Sequence, residues 1–232
     1  MKKIFILIVL FIYGHTASSQ ILIAVLFGDK LNTDKMEFGL MVSPTISNLT
    51  NIDSKPRPGL GLSLYFNIKL NQNLFFHLEA SPKAVFGIRG ITPYSTGNAS
   101  VDEIFLNDEN ATVQRKIKTM SLPLMMRYRI KGLFFAELGP QVDLMYQTKD
   151  VFKTKIDDNT IDYTVKLKDQ VAKLDVGLSA GLEYKLKKDK GMGISLRCYY
   201  GFTDVMTKIE GSQKNTAWYL NISIPIGAAP PK

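Results

Sequence analysis

His77 and Glu79 stand two residues apart, so on an extended strand an imidazole and a carboxylate share one face. Such a pair could move a proton or, with a serine at hand, raise a nucleophile. His15 is the only other histidine, and it lies in an N-terminal stretch with the marks of a removable leader. The pair lies close to a tight polar turn, Lys69-Leu70-Asn71-Gln72-Asn73, away from the longer loops where such chemistry would meet a substrate. A hydrogen-bonded structural histidine is the simpler reading, and the chain is not expected to be an enzyme. Its acids lack the spacing of a calcium loop, and no glycine-rich phosphate loop precedes a helix. Cys198 is the only cysteine, which excludes an internal disulfide and a thiolate metal cluster. No metal and no cofactor are expected.

The elements that would position these residues are strands. From Leu174 to Leu186 the even positions are apolar and the odd ones small or ionisable. The charged turn Lys187-Lys188-Asp189-Lys190-Gly191 follows, and the alternation resumes from Met192 to Tyr200. This is a hairpin with one wholly apolar face, long enough to cross a bilayer. Similar alternation appears over Met36–Val42, Leu60–Ile68, from Leu74, from Met120 to Ile130, from Phe134 to Leu144 and from Trp218 to Ile226. The segments 43–58, 87–112, 147–170 and 203–215 read as polar loops, the third able to extend its flanking strands. Pro123 predicts a bulge or kink within its strand. The expected fold is all-β: an eight-stranded antiparallel up-and-down transmembrane β-barrel with a short N-terminal helix or leader. Three short turns alternate with four longer loops, the asymmetry of periplasmic turns against extracellular loops.

Parity assigns the faces. Even positions carry the large apolar residues. Odd positions carry Glu37, His77, Glu79, Lys83, Arg127, Arg129, Glu137, Asp143, Asp175, Glu183, Lys185 and Arg197, expected to form a polar network in the lumen. One charge on the lipid face would cost about 2–4 kcal/mol at the midplane. A soluble, lipocalin-like barrel would reverse the faces. Its interior could not hold so many Leu, Ile, Phe and Met side chains together with a ligand. The aromatics fall in two groups, as membrane girdles do. Phe66, Phe76, Tyr128, Phe134 and Tyr184 lie toward the short turns; Phe86, Tyr146, Tyr200, Phe202 and Trp218 lie toward the long loops.

Lys2 and Lys3 precede the apolar run Ile4–Tyr13, with Ala17 and Ser19 placed for signal peptidase. Residues 1–19 are therefore expected to be a signal peptide, 20–34 a leader or short helix containing the apolar run Ile21–Phe27, 35–227 the barrel and 228–232 a tail. The 232 residues suit one domain, and a net charge of +8 is scattered over turns and loops rather than gathered into a nucleic-acid footprint.

With its strands placed, the chain resembles the PorT-like outer-membrane β-barrel family of Bacteroidetes. The resemblance rests on Ser121-Leu122-Pro123-Leu124, Ala136-Glu137-Leu138-Gly139-Pro140, Gly177 to Leu182 and Tyr199-Tyr200-Gly201-Phe202-Thr203-Asp204. It implies residence in the outer membrane among lipid and lipopolysaccharide, and it raises a link to a type IX-like secretion apparatus. The expected role is structural or interactive: a closed polar lumen, a monomer, and loops or a periplasmic mouth open to a protein partner. The alternative is a transport or ligand-binding barrel.

Overall fold

A computed structural model describes residues 31–156, 159–167, 170–187, 191–208 and 211–227. The expected signal peptide, the run Ile21–Phe27 and the tail 228–232 lie outside the described residues. The strands are β1 (Met36–Leu49), β2 (Lys55–Lys69), β3 (Leu74–Ile91), β4 (Thr112–Lys131), β5 (Phe134–Ile156), β6 (Asn159–Lys166), β7 (Leu174–Lys185), β8 (Gly193–Gly201) and β9 (Asn215–Pro225). A helix, α1 (Ala99–Leu106), interrupts the connection between β3 and β4.

All pairings between these strands are antiparallel, in the order β4-β3-β2-β1-β9-β8-β7-β5-β6, and a further pairing of β4 with β5 closes the sheet. Eight strands therefore form a barrel, and β6 is a ninth that pairs only with the far end of β5. The first and last strands meet along the seam Gly39↔Pro225 to Leu49↔Asn215. Met36 faces Ile68 beside the Lys69–Asn73 turn, so β1 begins and β9 ends at the short-turn end of the barrel.

The strands run further than their alternation suggested. The polar stretch 43–58 is mostly strand, leaving a connection of residues 50–54. Ser43, Thr45 and Ser47 point inward there and Pro44 and Ile46 outward, so the alternation continues with small polar residues on the lumen side. β3, β4 and β5 have 18, 20 and 23 residues. At about 3.3 Å per residue, β5 is roughly 75 Å long, far more than an apolar band about 25 Å tall requires even with strong tilt. These strands project beyond the bilayer at the long-loop end, where β6 adds to them.

Bulges decide which face each projection presents. The β3–β4 register slips once between Ser81 and Ala84 and again between Ile88 and Ile91, and the β4–β5 register slips between Lys118 and Thr119. Each slip inserts one residue and exchanges inward and outward positions beyond it. Pro123, by contrast, causes no slip: Pro123↔Gln141 and Met126↔Leu138 belong to one continuous register.

Candidate functional site: a layered lumen and a basic mouth

Below the bulges, parity places the side chains as strand geometry requires. Leu182 is 61% exposed and Trp218 57%, with Leu138, Leu178, Leu196 and Leu220 exposed alongside them. A contiguous apolar band of this kind has no place in water. At its short-turn edge Phe134 and Tyr184 are cross-strand partners with ring centroids 4.8 Å apart, and Tyr128 is exposed nearby. Phe66 and Phe76 are half-buried on that side. At the other edge Tyr146, Tyr200, Phe202 and Trp218 are exposed.

Two sequence assignments are overturned by a single bulge. Beyond Ser81 the even residues of β3 turn inward, so Phe86 is 1% exposed and stacks on Tyr199 at 5.7 Å instead of joining the girdle. Lys83 is exposed outside the lumen for the same reason.

The other charged residues named from sequence are brought together, most of them in the short-turn half. Lys185 Nζ meets Glu37 Oε2 at 2.5 Å, and Glu37 also accepts hydrogen bonds from Asn67 at 2.8 Å and Tyr65 at 3.3 Å. His77 Nδ1 is 2.6 Å from Asn67 Oδ1, and its Nε2 lies 3.6 Å from Glu79. Glu79 is already engaged, accepting from Ser63 at 2.8 Å and from Arg197 Nη1 at 2.7 Å. Arg197 Nε donates to Glu137 at 2.8 Å, so one guanidinium joins carboxylates from β3 and β5. Arg127 pairs with Glu183 and lies over the Phe135 ring at 4.4 Å from its centroid. Higher up, Asp143 accepts from Ser121 and from Gln141, whose own carbonyl accepts from Ser179 at 2.8 Å. Asp175 accepts from Asn215 at 2.7 Å.

Small residues make this density possible. A Cβ on Gly181 would stand 2.9 Å from Glu137 Oε1 and 2.9 Å from the Leu196 carbonyl oxygen. At mid-height a cavity of about 20 Å³, lined in part by Glu79, Arg197, Gln141 and Tyr219, has room for little more than a single water.

Above the polar layer the filling changes, which parity alone did not foresee. Phe86, Ile88, Val113, Ile117 and Phe152 are buried from the walls, Phe105 comes down from α1, and Val205 and Met206 enter from the β8–β9 connection. They form an apolar plug across the long-loop end. Phe105 meets Phe152 edge-on at 5.6 Å, and Tyr94 meets the same ring at 5.1 Å. Through this apolar layer runs a further ion pair, Arg115 with Asp150, at 3.0 and 2.8 Å. Tyr94 donates to Asp150 at 2.8 Å, and burial beside that carboxylate pushes the phenol's pKa up. Neither Arg115 nor Asp150 was identified from sequence; Asp150 sits in a stretch read as loop and Arg115 just past one. The helix itself had a legible start, since Asn98 caps it and accepts from Ser100 N at 3.2 Å.

The short-turn end is open. A cavity of about 670 Å³ is lined by Lys35, Lys69, Arg127, Arg129, Lys185 and Lys187 against Asp34 and Glu37, with Phe75, Leu133 and Phe135 as apolar wall. Arg129 lies over Phe75 and Phe135, at 5.5 and 5.2 Å from their centroids. Among the described residues no group of three or more His, Cys, Asp or Glu is placed to hold a metal.

The sequence model of the outer membrane protein beta-barrel domain family matches residues 27–207. No curated protein sequence matches the chain. Among solved structures it is similar to Ail, the attachment invasion locus protein of Yersinia pestis, at 13% identity and a TM-score of 0.43, covering 83% of this chain and 99% of that one. It is also similar to Neisserial surface protein A at 8% identity and a TM-score of 0.41, covering 82% and 96% of the two chains. OprG of Pseudomonas aeruginosa shows 11% identity and a TM-score of 0.31, with 82% and 91% covered. Likenesses of this order transfer no activity.

Proposed function

From the premise that the chain belongs to the outer membrane protein beta-barrel domain family and resides in the outer membrane, we propose that it is a non-conducting barrel with a structural or interactive role. One observation carries this: the lumen is filled by two successive layers. The short-turn half is crossed by ion pairs, the long-loop half by an apolar plug, and the cavity between them is about 20 Å³. An eight-stranded barrel has an interior only wide enough for side chains, and here they interlock. A selective pore would rather present a ring of one sign.

His77 and Glu79 are structural in this reading, because Glu79 is held by Arg197 and Ser63 and His77 is buried. Work is then done at the two ends, with a protein partner at the loops or the periplasmic mouth and lipid and lipopolysaccharide around a monomeric wall. The PorT-like affinity belongs to this reading too, supported by Ser121–Leu124 and Ala136–Pro140 on adjoining strands. A ligand-binding barrel is the second reading, favoured by the cavity of about 670 Å³ at the short-turn mouth. Planar-bilayer recording of the purified protein is the test. We expect no steady channels; reproducible porin-sized conductance would overturn the non-conducting reading.

A further inference from the structure

We infer that the short-turn mouth is a binding site for a phosphate-bearing anion with an apolar body. Two of the cations around it are already engaged, Lys185 by Glu37 and Arg127 by Glu183. That leaves Lys35, Lys69, Arg129 and Lys187 against Asp34, four cations to one carboxylate among the described lining residues. A concave cleft lined by one sign focuses its potential and gathers the opposite charge.

Arg129 gives the surplus a direction. Its guanidinium is held over Phe75 and Phe135, while its Nε is buried without a hydrogen-bond partner among the described residues. The buried Arg127 just inside the same mouth likewise leaves its Nε without a partner. Buried donors are ordinarily satisfied, so both Nε atoms would gain from an acceptor entering this opening. The four cations come from the segment before β1, the end of β2, β4 and the turn after β7, and so approach from different sides. Donors spread this way suit a tetrahedral phosphate with oxygens in several directions, whereas one arginine fork would satisfy a planar carboxylate. The volume, about 670 Å³, falls within the range of small-molecule sites, and Phe75, Leu133 and Phe135 offer apolar wall beyond the charge. A soluble phosphomonoester and a phospholipid headgroup share this chemistry. The site does not depend on whether the lumen conducts.

The experiment is isothermal titration of the full mature barrel, refolded in zwitterionic detergent, with phenyl phosphate, inorganic phosphate and benzoate. Phenyl phosphate should bind saturably, with inorganic phosphate weaker and benzoate at least tenfold weaker. Arg129→Gln should weaken phenyl phosphate at least tenfold, whereas Arg89→Gln, exposed at the opposite end, should leave it unchanged. Gel mobility before and after boiling verifies folding, and Lys69→Gln serves in place of Arg129→Gln should the latter misfold. Absence of saturable binding, or equal loss in the Arg129 and Arg89 variants, overturns the site; benzoate binding as tightly as phenyl phosphate overturns its phosphate character. Phosphatidylglycerol added to the micelles separates the sources. Displacement of phenyl phosphate upholds the site with a headgroup as its ligand, and no displacement upholds it with a soluble one.

Discussion

Arg197 touches both Glu79 and Glu137, so its removal leaves two buried carboxylates facing each other across the lumen. Breaking a buried pair by deleting one partner typically costs about 3–5 kcal/mol, because the remaining charge is stranded. Arg197→Leu should therefore lower the unfolding free energy of the refolded barrel, read by urea titration, by that order and open no conductance. If it unfolds no earlier than wild type, the pairs across the lumen do not hold the barrel's shape. A milder case lies outside the membrane. The Asp102 carboxyl sits below its ordinary value of 3.8, held there first by the Ser95 hydroxyl and then by Thr96. A carboxyl depressed in the folded state contributes stability that is fully present above the unfolded value and fades as pH falls through the folded one. Acidification below 3.8 should thus loosen the segment between Ser95 and Asp102, read as faster amide exchange at Thr96. Exchange there that changes with pH only as free peptides do would show that the clasp contributes nothing.

At the scale of elements, the β3 bulge yields a paired expectation. Phe86 lies inside the apolar plug and Lys83 outside the barrel, so Phe86→Ala should destabilise by about 3–5 kcal/mol and Lys83→Gln hardly at all. Equal effects in urea titrations would contradict the flip. Gly181→Val belongs here as well: its side chain would displace Glu137 from Arg197, and assembly should fall although the residue bears no charge. What was legible in the sequence follows the same division. β7 and β8 keep strict alternation with no slip, and their faces could be read residue by residue. A bulge adds a residue without changing composition, so nothing in the letters around Pro82 or Tyr146 announced that parity reverses beyond them. Serine and threonine at 43, 45 and 47 looked like loop because inward-facing small polar residues and turn residues share a vocabulary. The ion pair Arg115–Asp150 was hidden for the same reason, Asp150 lying within a stretch that read as loop and Arg115 just beyond another.

On the scale of the whole molecule, an outward apolar band predicts that Leu196→Arg costs about 2–4 kcal/mol near mid-bilayer. Folding yield into lipid vesicles checks it, and a yield equal to that of Asp53→Arg in an exposed loop would contradict the assigned faces. The barrel is held shut at the seam of β1 and β9, whose partners lie far apart in the chain, as Gly39 and Pro225 do. Such contacts repay their loop entropy last, so this seam is expected to zip late and to be where the cylinder first gapes. Asn32 stands across it. Its side chain accepts from the Phe38 amide at 3.0 Å and donates to the carbonyl of Ile226, while Ile226 N donates to Phe38 O at 3.0 Å. A residue upstream of the first strand thus grips the end of the last one, like a catch fitted once the lid has come down. Its weight should fall on how long the closed cylinder survives rather than on how readily it forms: Asn32→Ala should quicken unfolding and leave the folding rate nearly as it was.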